Sequence, residues 1–408
     1  MQNYKKISYN LKIIYKFALE YFILLKLIME DFFSNIRPFF DSEIQSAFEF
    51  LLSSDVFMQA AREIFPEEII ENFKKNYPKI DTINSFQVQF MMPMLQRLLQ
   101  KKQCNITFSG IENIQHSAVF LSNHRDIVVD PAFLQYVFMA NNFNTTQIAM
   151  GDNLLAADWI LTLVRINKSF IIKRNLSKGE QITAFKELSA YIRHVITERN
   201  ESIWIAQREG RAKDSNDCTQ PSILKMFSLS GSGNLIENIK SLNICPLSIS
   251  YEYDACDYLK VKEFLQKIEN ENFIKTKEDD VLSMKTGILG YTGSLHYAFN
   301  TCINDELDKI AEQKLPRNEQ VEQIIKIIDN KIYASYKFFP INYFAYDKLY
   351  SENGFEKFYQ NDEEFLEKYI ENQINKIDLE NFNKKLAEKR FLEMYSNTLK
   401  NFLESRNF

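Results

Sequence analysis

Glycine, histidine and paired cysteines are scarce in this sequence. Its 408 residues include only 10 glycines, about 2.5% against a usual ~7%, and neither a G-x-G-x-x-G nor a P-loop motif occurs, which argues against the common glycine-rich phosphate loops. The five cysteines show no C-x-x-C spacing and the four histidines lie far apart, so spacing indicates neither a zinc site nor a disulfide framework. We therefore expect no metal and no bound cofactor.

A long hydrophobic run without charges is also missing. The apolar stretch at residues 13–29 contains three charged side chains, which makes it a poor membrane span. It predicts an amphipathic helix that lies at a membrane interface or packs on the protein. Met29 could be an alternative start, in which case residues 1–28 are a dispensable extension.

The overall composition is that of a globular protein, with 45% hydrophobic and 25% charged residues. The formal net charge of −5 gives no general argument for nucleic-acid binding. Scattered cysteines are typical of a reducing compartment, so we expect a cytoplasmic protein. The 34 phenylalanines are enough for a large core and for some contact with lipid.

The pattern of hydrophobic residues divides the chain into three parts. Residues 1–104 are predicted to be a helical, possible membrane-associating region, residues 105–256 an α/β core, and residues 257–408 a mainly helical region packed on that core. In the middle part, strands alternate with helices, which favours a sheet covered by helices. The predicted strands are 104–109, 117–122, 146–150, 168–173, 202–207 and 244–250.

The peptide 122–131 places a histidine and two aspartates in a polar turn between a strand and a helix. A neutral histidine is a general base near neutral pH, and a carboxylate bonded to its other nitrogen fixes the tautomer. His124 is therefore the candidate base, and Asp126 and Asp130 are both candidates for its partner. Asp130 also suits the N-cap position of a helix that begins at Pro131, and Asp126 could be a solvated turn residue.

Two later segments carry cations at the ends of predicted strands. Lys173 and Arg174 precede a helix with a capping box, where a helix N-terminus and cations together favour phosphate. Glu209, Gly210 and Arg211 follow the next strand, at the edge where open α/β sheets bind ligands. Ordinary solvated loops would show the same residue types. A further strand contains Pro246, which is typical of an edge strand or a bulge.

Taken in order, these motifs resemble those of the lysophospholipid and glycerol-phosphate acyltransferase family, in particular bacterial 1-acylglycerol-3-phosphate acyltransferases. The resemblance covers residues 105–255 and includes the Asn123–His124 pair, the strand ending at Arg174, the block 209–211 and Pro246. The family's N-H-x4-D motif would place an aspartate where this chain has Val129. Alignment on the Asp-Pro pair makes Asp130 the partner, whereas an H-x-D geometry would use Asp126.

The resemblance implies a central mixed sheet flanked by helices and the transfer of an acyl group from acyl-CoA or acyl carrier protein to a lysophospholipid or glycerol phosphate. His124 would deprotonate the acceptor hydroxyl, and backbone amides or the surroundings of Pro246 would stabilise the oxyanion. It also implies peripheral contact with the cytoplasmic face of the membrane. The substrate-binding residues would be Asn123, Arg125, Lys173, Arg174, Glu209, Gly210 and Arg211.

Two other functions fit the same motifs. The irregular aspartate spacing allows a catalytically silent lipid-binding protein. A hydrolase that activates water with the same base is the other alternative.

Overall fold

The computed structural model of the protein describes residues 32–155, 157–174, 176–350 and 354–406. The predicted interfacial helix and the alternative start at Met29 lie outside these residues. Within the described ranges, none of the helices combines the length and the hydrophobicity needed to span a bilayer.

A mixed sheet forms the centre of the fold. Its seven strands, counted over the described residues, have the spatial order β1-β7-β6-β2-β5-β3-β4. Every neighbouring pair is parallel except β6 and β7, which are antiparallel. The strands are β1 (Asn105–Ser109), β2 (Val119–Ser122), β3 (Gln147–Gly151), β4 (Ser169–Ile172), β5 (Ile203–Ala206), β6 (Ile244–Tyr251) and β7 (Ser294–Phe299).

Helices precede, connect and follow the strands. Before the sheet lie α1 (Ile44–Ser53), α2 (Asp55–Ile64), α3 (Glu67–Asn76), α4 (Ile83–Phe86) and, after a π-helical turn, α5 (Met92–Lys102). Between β2 and β6 lie α6 (Val129–Ala140), α7 (Asp158–Ile166), α8 (Lys178–Thr197), α9 (Pro221–Phe227) and α10 (Leu235–Lys240). The remainder is α11 (Asp257–Glu269), α12 (Lys277–Leu289), α13 (Asn304–Glu312), α14 (Arg317–Ala334), α15 (Pro340–Tyr350), α16 (Glu363–Asn375) and α17 (Lys384–Ser405).

The six predicted strands correspond to β1 to β6, and the expected mixed sheet flanked by helices is present. Strand β7 was not predicted, because it lies in the region beyond residue 256 where helical patterns dominate. It inserts between β1 and β6. The central sheet therefore includes a strand from the C-terminal region.

Side chains alternate between the two faces of β2 and thereby join two separate cores. Val119 and Leu121 pack into the cluster under α8, α9, α10, α13 and α14, whereas Phe120 packs on the other face with α5 and α6. A third cluster joins α11 to α15, α16 and α17. Each fully buried side chain of this size contributes roughly 1.5–3 kcal/mol, so the sheet is fixed from both sides.

Pro246 lies on an inner strand, and the prediction of an edge strand or bulge was wrong. Its carbonyl accepts a hydrogen bond from Asn300 N at 3.0 Å, just beyond the end of β7. The amide and carbonyl of one strand residue point to the same side, so the missing N–H of Pro246 faces this end of β7. The β6–β7 ladder begins only at Leu247, and the absent donor is therefore tolerated.

Candidate active site

The polar turn after β2 is held against the neighbouring strand β6 by Asn123. The side-chain amide of Asn123 donates to Ile249 O at 2.8 Å, and its Oδ1 accepts from Ile249 N at 2.8 Å. Asn123, which was predicted to bind substrate, is completely buried, and both of its polar atoms are used in these bonds. Its role is to fix the turn that carries His124.

His124 is paired with Asp130. Nδ1 of His124 lies 2.7 Å from Oδ2 of Asp130, and that oxygen also accepts the backbone amides of Arg125 (2.6 Å) and Asp126 (3.1 Å). The other carboxylate oxygen accepts the hydroxyl of Tyr251 at 2.6 Å. Burial acts to raise the pKa of Asp130, but the bonds from His124 and Tyr251 outweigh it and the pKa is lowered. Asp130 is therefore a buried, ionised acceptor.

The two candidate aspartates have different positions from those expected. Asp130 is the second residue of α6, not its N-cap. Asp126 is buried and not solvated. Its Oδ1 accepts the amides of Val128 at 2.9 Å and Val129 at 2.8 Å, so it satisfies two free donors at the start of α6. Burial and the nearby Asp130 raise the pKa of Asp126.

A cavity of about 340 Å³ opens at the carboxyl ends of strands β2 to β5. Its apolar wall runs between the sheet and the helices α8 and α9. His124 lies at its polar end, and Trp204 packs against the imidazole with ring centroids 5.5 Å apart. Because Nδ1 of His124 is bonded to Asp130, Nε2 is the nitrogen left for a substrate. The predicted site residues that line this cavity are His124, Lys173, Arg174, Glu209, Gly210 and Arg211.

Arg174 follows β4 and connects three loops at the cavity. Its amide donates to Asp152 Oδ1 at 3.1 Å, and its Nη1 lies 3.0 Å from Oε1 of Glu209. The side chain of Glu209 is largely exposed, so this ion pair is weak and screened. Lys173 is similarly paired, at 3.1 Å, with Glu187. An incoming phosphate would therefore compete with Glu209 for Arg174 at small cost.

The loop after β5 places a second cation near His124. Gly210 has a φ of 69°, a left-handed conformation that favours glycine, and Ala212 N donates to His124 O at 3.2 Å. Between them, Arg211 lines the cavity, and its Nη1 is buried without a hydrogen-bond partner. A buried guanidinium donor without a partner is costly, which makes this position suited to an anionic ligand.

Arg125, which was predicted to bind substrate, has its guanidinium engaged in a buried ion pair. The guanidinium is buried and forms a two-pronged ion pair with Asp217, with Nη1 2.6 Å from Oδ1. Tyr336 donates its hydroxyl to the same carboxylate at 2.5 Å. Arg125 thus ties the turn to the loop that carries Asp217 and, through Tyr336, to the C-terminal region, and it is not among the residues that line the cavity.

Sequence reasoning missed several residues that support the site. Tyr251 is the last residue of β6, at the same edge of the sheet as His124. Its place at the carboxyl end of a predicted strand was enough to mark it as a candidate site residue. Asp217 gave no signal, because it lies in an irregular loop. Gly287 of α12 approaches Asp126 so closely that a Cβ atom there would lie 2.0 Å from Oδ2. Among the described residues, no group of three or more His, Cys, Asp or Glu side chains is arranged to hold a metal ion.

Comparison with known proteins gives one family match. Residues 105–250 match the family model described as Acyltransferase, and no curated protein matches the chain. Among solved structures, the 1-acyl-sn-glycerophosphate (LPA) acyltransferase PlsC from Thermotoga maritima aligns with a TM-score of 0.29 and 9% identity, over 58% of this chain and 81% of that one. The family model thus matches the segment in which the order of the motifs predicted an acyltransferase.

Proposed function

We propose that the protein moves a fatty acyl group from acyl-CoA or acyl carrier protein to the hydroxyl of a lysophospholipid or glycerol phosphate, with 1-acylglycerol 3-phosphate as the first acceptor to test. The observation that carries the proposal is the pairing of His124 with the ionised Asp130 at the polar end of a long cavity. An apolar wall beside a histidine base and cations matches the parts of this reaction: an acyl chain, a hydroxyl and a phosphate.

His124 acts as the general base in this mechanism. Ionised Asp130 only accepts hydrogen bonds, so Nδ1 of His124 carries the proton and Nε2 the lone pair. Nε2 takes the proton of the acceptor hydroxyl as its oxygen attacks the thioester carbonyl carbon. The tetrahedral intermediate then collapses, the carbon–sulfur bond breaks, and the leaving thiolate takes the proton back from Nε2. The products are an ester and a free thiol, and the buried carboxylate stabilises the transient imidazolium.

Cations around the cavity hold the acceptor phosphate. Arg174 and Arg211 are the main candidates, with Lys173 beside them, because all three line the cavity. The unpartnered Nη1 of Arg211 is the strongest support for a phosphate near the base. Glu209 orders the loop by pairing with Arg174, and Gly210 provides the turn that brings Arg211 towards His124.

A lysophospholipid acceptor resides in a membrane, so the protein must meet the membrane that supplies it. We propose peripheral contact with the cytoplasmic face of the membrane, where cytoplasmic thioesters are also available.

The test uses the purified full chain with lysophosphatidate or glycerol 3-phosphate and either thioester donor. Thiol release and product mass are measured together, with a protein-only blank because the chain has five cysteines. Equal amounts of thiol and acylated acceptor support the proposal. Thiol release with free fatty acid identifies a hydrolase, and acceptor binding without thiol release identifies a silent lipid-binding protein.

A further inference from the structure

Two of the five cysteines face each other where the segment after β7 runs beside the start of β6. Cys245 is the second residue of β6, and Cys302 follows the end of β7. Two backbone hydrogen bonds of 3.0 Å hold the segments together on either side of the pair: Asn300 N to Pro246 O and Ile303 N to Ile244 O. Between these bonds one segment contributes Cys245 alone and the other Thr301 and Cys302, which is the two-to-one count of a β-bulge.

The two thiols lie on the same face of the sheet and contact each other. Both side chains pack into the cluster that includes α5 and α6. The thiol of Cys245 donates a hydrogen bond to the sulfur of Cys302. Opposed residues of neighbouring antiparallel segments have Cα atoms about 4.5–5.5 Å apart, a separation that a disulfide can span. The backbone therefore already brings the two sulfurs together.

Cys302 has the properties of a reactive thiol. It is half-buried, whereas Cys245 is buried. The hydrogen bond from Cys245 lowers the pKa of Cys302, and the backbone amide of Asn304, at the start of α13, lowers it further. Burial and Glu306 act against this effect and Lys331 supports it, with a lowered pKa as the result. A larger share of Cys302 is therefore thiolate, the form that reacts with oxidants.

The other three cysteines have the opposite tendency. Burial raises the pKa of Cys104, of Cys218 and of Cys256. Their sulfurs therefore stay protonated at neutral pH, and a protonated thiol is a poor nucleophile. Oxidation should begin at Cys302 and not at these three positions.

We propose that Cys245 and Cys302 form a reversible disulfide when the protein meets a peroxide. The thiolate of Cys302 attacks one peroxide oxygen, the oxygen–oxygen bond breaks, and a hydroxide ion departs while Cys302 becomes a sulfenic acid. The sulfur of Cys245 then attacks the sulfur of Cys302, and the hydroxyl group leaves with the proton of Cys245 as water. The two sulfurs lose two electrons, and the peroxide ends as two waters once the hydroxide takes a proton from solvent.

The disulfide joins β6 directly to the segment that leads into α13. The opposite end of β6 holds the catalytic turn through Ile249 and Tyr251, and the strand covers roughly 20 Å from Cys245 to Tyr251. The bond therefore clamps the place where a strand from the C-terminal region enters the sheet, at a distance from the candidate base. In a reducing compartment the pair returns to thiols by exchange.

The first test maps the bond in the purified full chain. The protein is treated with hydrogen peroxide, its remaining thiols are blocked, and it is cut with chymotrypsin without reductant. Chymotrypsin is chosen because Tyr251 separates Cys245 from Cys256. A linked peptide pair that contains Cys245 and Cys302, and that disappears after dithiothreitol, supports the proposal. A bond from Cys302 to another cysteine, or no linked pair, overturns it.

The second test establishes the order of attack. In Cys245→Ser the oxidised Cys302 has no thiol partner, so we expect a sulfenic acid that dimedone traps on Cys302. In Cys302→Ser we expect no adduct on Cys245. The control is Cys218→Ser, which removes an exposed cysteine outside the pair and should form the disulfide as the wild type does. An adduct on Cys245 in Cys302→Ser, with none on Cys302 in Cys245→Ser, overturns the proposed order.

The third test measures the clamp by thermal melting. Oxidised wild type should melt at least about 2 °C above the reduced protein, because the bond restricts the unfolded chain, and dithiothreitol should remove the difference. Oxidation should leave the midpoint of Cys302→Ser unchanged and should raise that of Cys218→Ser as in the wild type. A wild-type midpoint that is unchanged or lowered by oxidation overturns the clamp. These results do not depend on acyl transfer, so they stand apart from the test of the proposed function.

Discussion

The carboxylate of Asp130 holds His124 and the backbone of its turn at the same time. Oδ2 accepts the imidazole Nδ1 at 2.7 Å together with two backbone amides, while Oδ1 accepts Tyr251. The base and its loop therefore share one buried anchor. Any change to this carboxylate should alter both the tautomer and the position of the imidazole.

Asp130→Asn tests which aspartate serves the base. We expect a loss of about 10²–10⁴-fold in kcat, because an amide at this position no longer favours the Nδ1–H tautomer or stabilises the imidazolium. Asp126→Asn is the matched control and should keep kcat and the thermal midpoint close to those of the wild type, since the amide oxygen can still accept the first amides of α6. Steady-state kinetics and thermal melts of both variants provide the measurement. A larger kcat loss in Asp126→Asn contradicts this assignment.

Arg125→Met tests whether Arg125 is structural. Removing one partner of the buried pair leaves Asp217 uncompensated, so we expect the free energy of unfolding to fall by about 3–5 kcal/mol. Urea denaturation measures it, with Arg62→Met as control because the Arg62–Glu67 pair is exposed and should cost less than about 1 kcal/mol. A raised acceptor KM in a variant of normal stability would restore Arg125 as a substrate ligand.

Gly287→Ala tests the contact between α12 and the catalytic turn. The new Cβ would lie 2.0 Å from Oδ2 of Asp126, so either the helix or the turn must move. We expect kcat to fall at least about ten-fold and the thermal midpoint to fall with it. Gly179→Ala makes the same substitution in α8, where nothing lies within 4 Å of the new atom, and should be neutral or slightly stabilising. Wild-type kcat in Gly287→Ala would show that the turn tolerates displacement.

The pH dependence of stability should depend on Asp257, a buried residue bonded to the hydroxyls of Tyr369 and Tyr395 at 2.7 and 2.8 Å. Burial and the neighbouring Asp254 raise the pKa of Asp257 to about 7, whereas it is ~4 in an unfolded chain. Between these values the folded chain keeps a proton that the unfolded chain has lost. The free energy of unfolding therefore decreases as the pH rises through this window.

Asp257→Asn removes that titration. Relative to the wild type, its free energy of unfolding should increase by roughly 2–3 kcal/mol between about pH 5 and about pH 7. Urea denaturation at both pH values measures this, with Asp305→Asn at an exposed position as the control. A constant difference between variant and wild type across this range would refute the interpretation.

Local patterns in the sequence predicted the elements of the sheet but not all of their partners. Alternating strands and helices gave β1 to β6, because these short apolar runs are bounded by clear turn and capping residues. Strand β7 was missed, since its Ser-Leu-His-Tyr-Ala-Phe sequence has no Val or Ile and stands between two helical patterns. Only tertiary contact with β1 and β6 makes this segment a strand.

The same distinction applies to the candidate site. His124, Arg174 and Arg211 were found because each follows a predicted strand at the edge where ligands bind. The structural bonds of Asn123 and Arg125 were not predicted, since their partners Ile249 and Asp217 lie 126 and 92 residues away. No spacing rule connects residues so distant, and adjacency to a catalytic histidine favours a binding role when the fold is unknown.

The most direct test of the proposed mechanism is the rate of acyl transfer by His124→Ala, measured as product formed at saturating thioester and acceptor. We expect a loss of at least about 100-fold in a protein with a normal melting transition. His116→Ala, at an exposed position eight residues earlier, should keep the wild-type rate. Full acyl transfer by folded His124→Ala would contradict the mechanism.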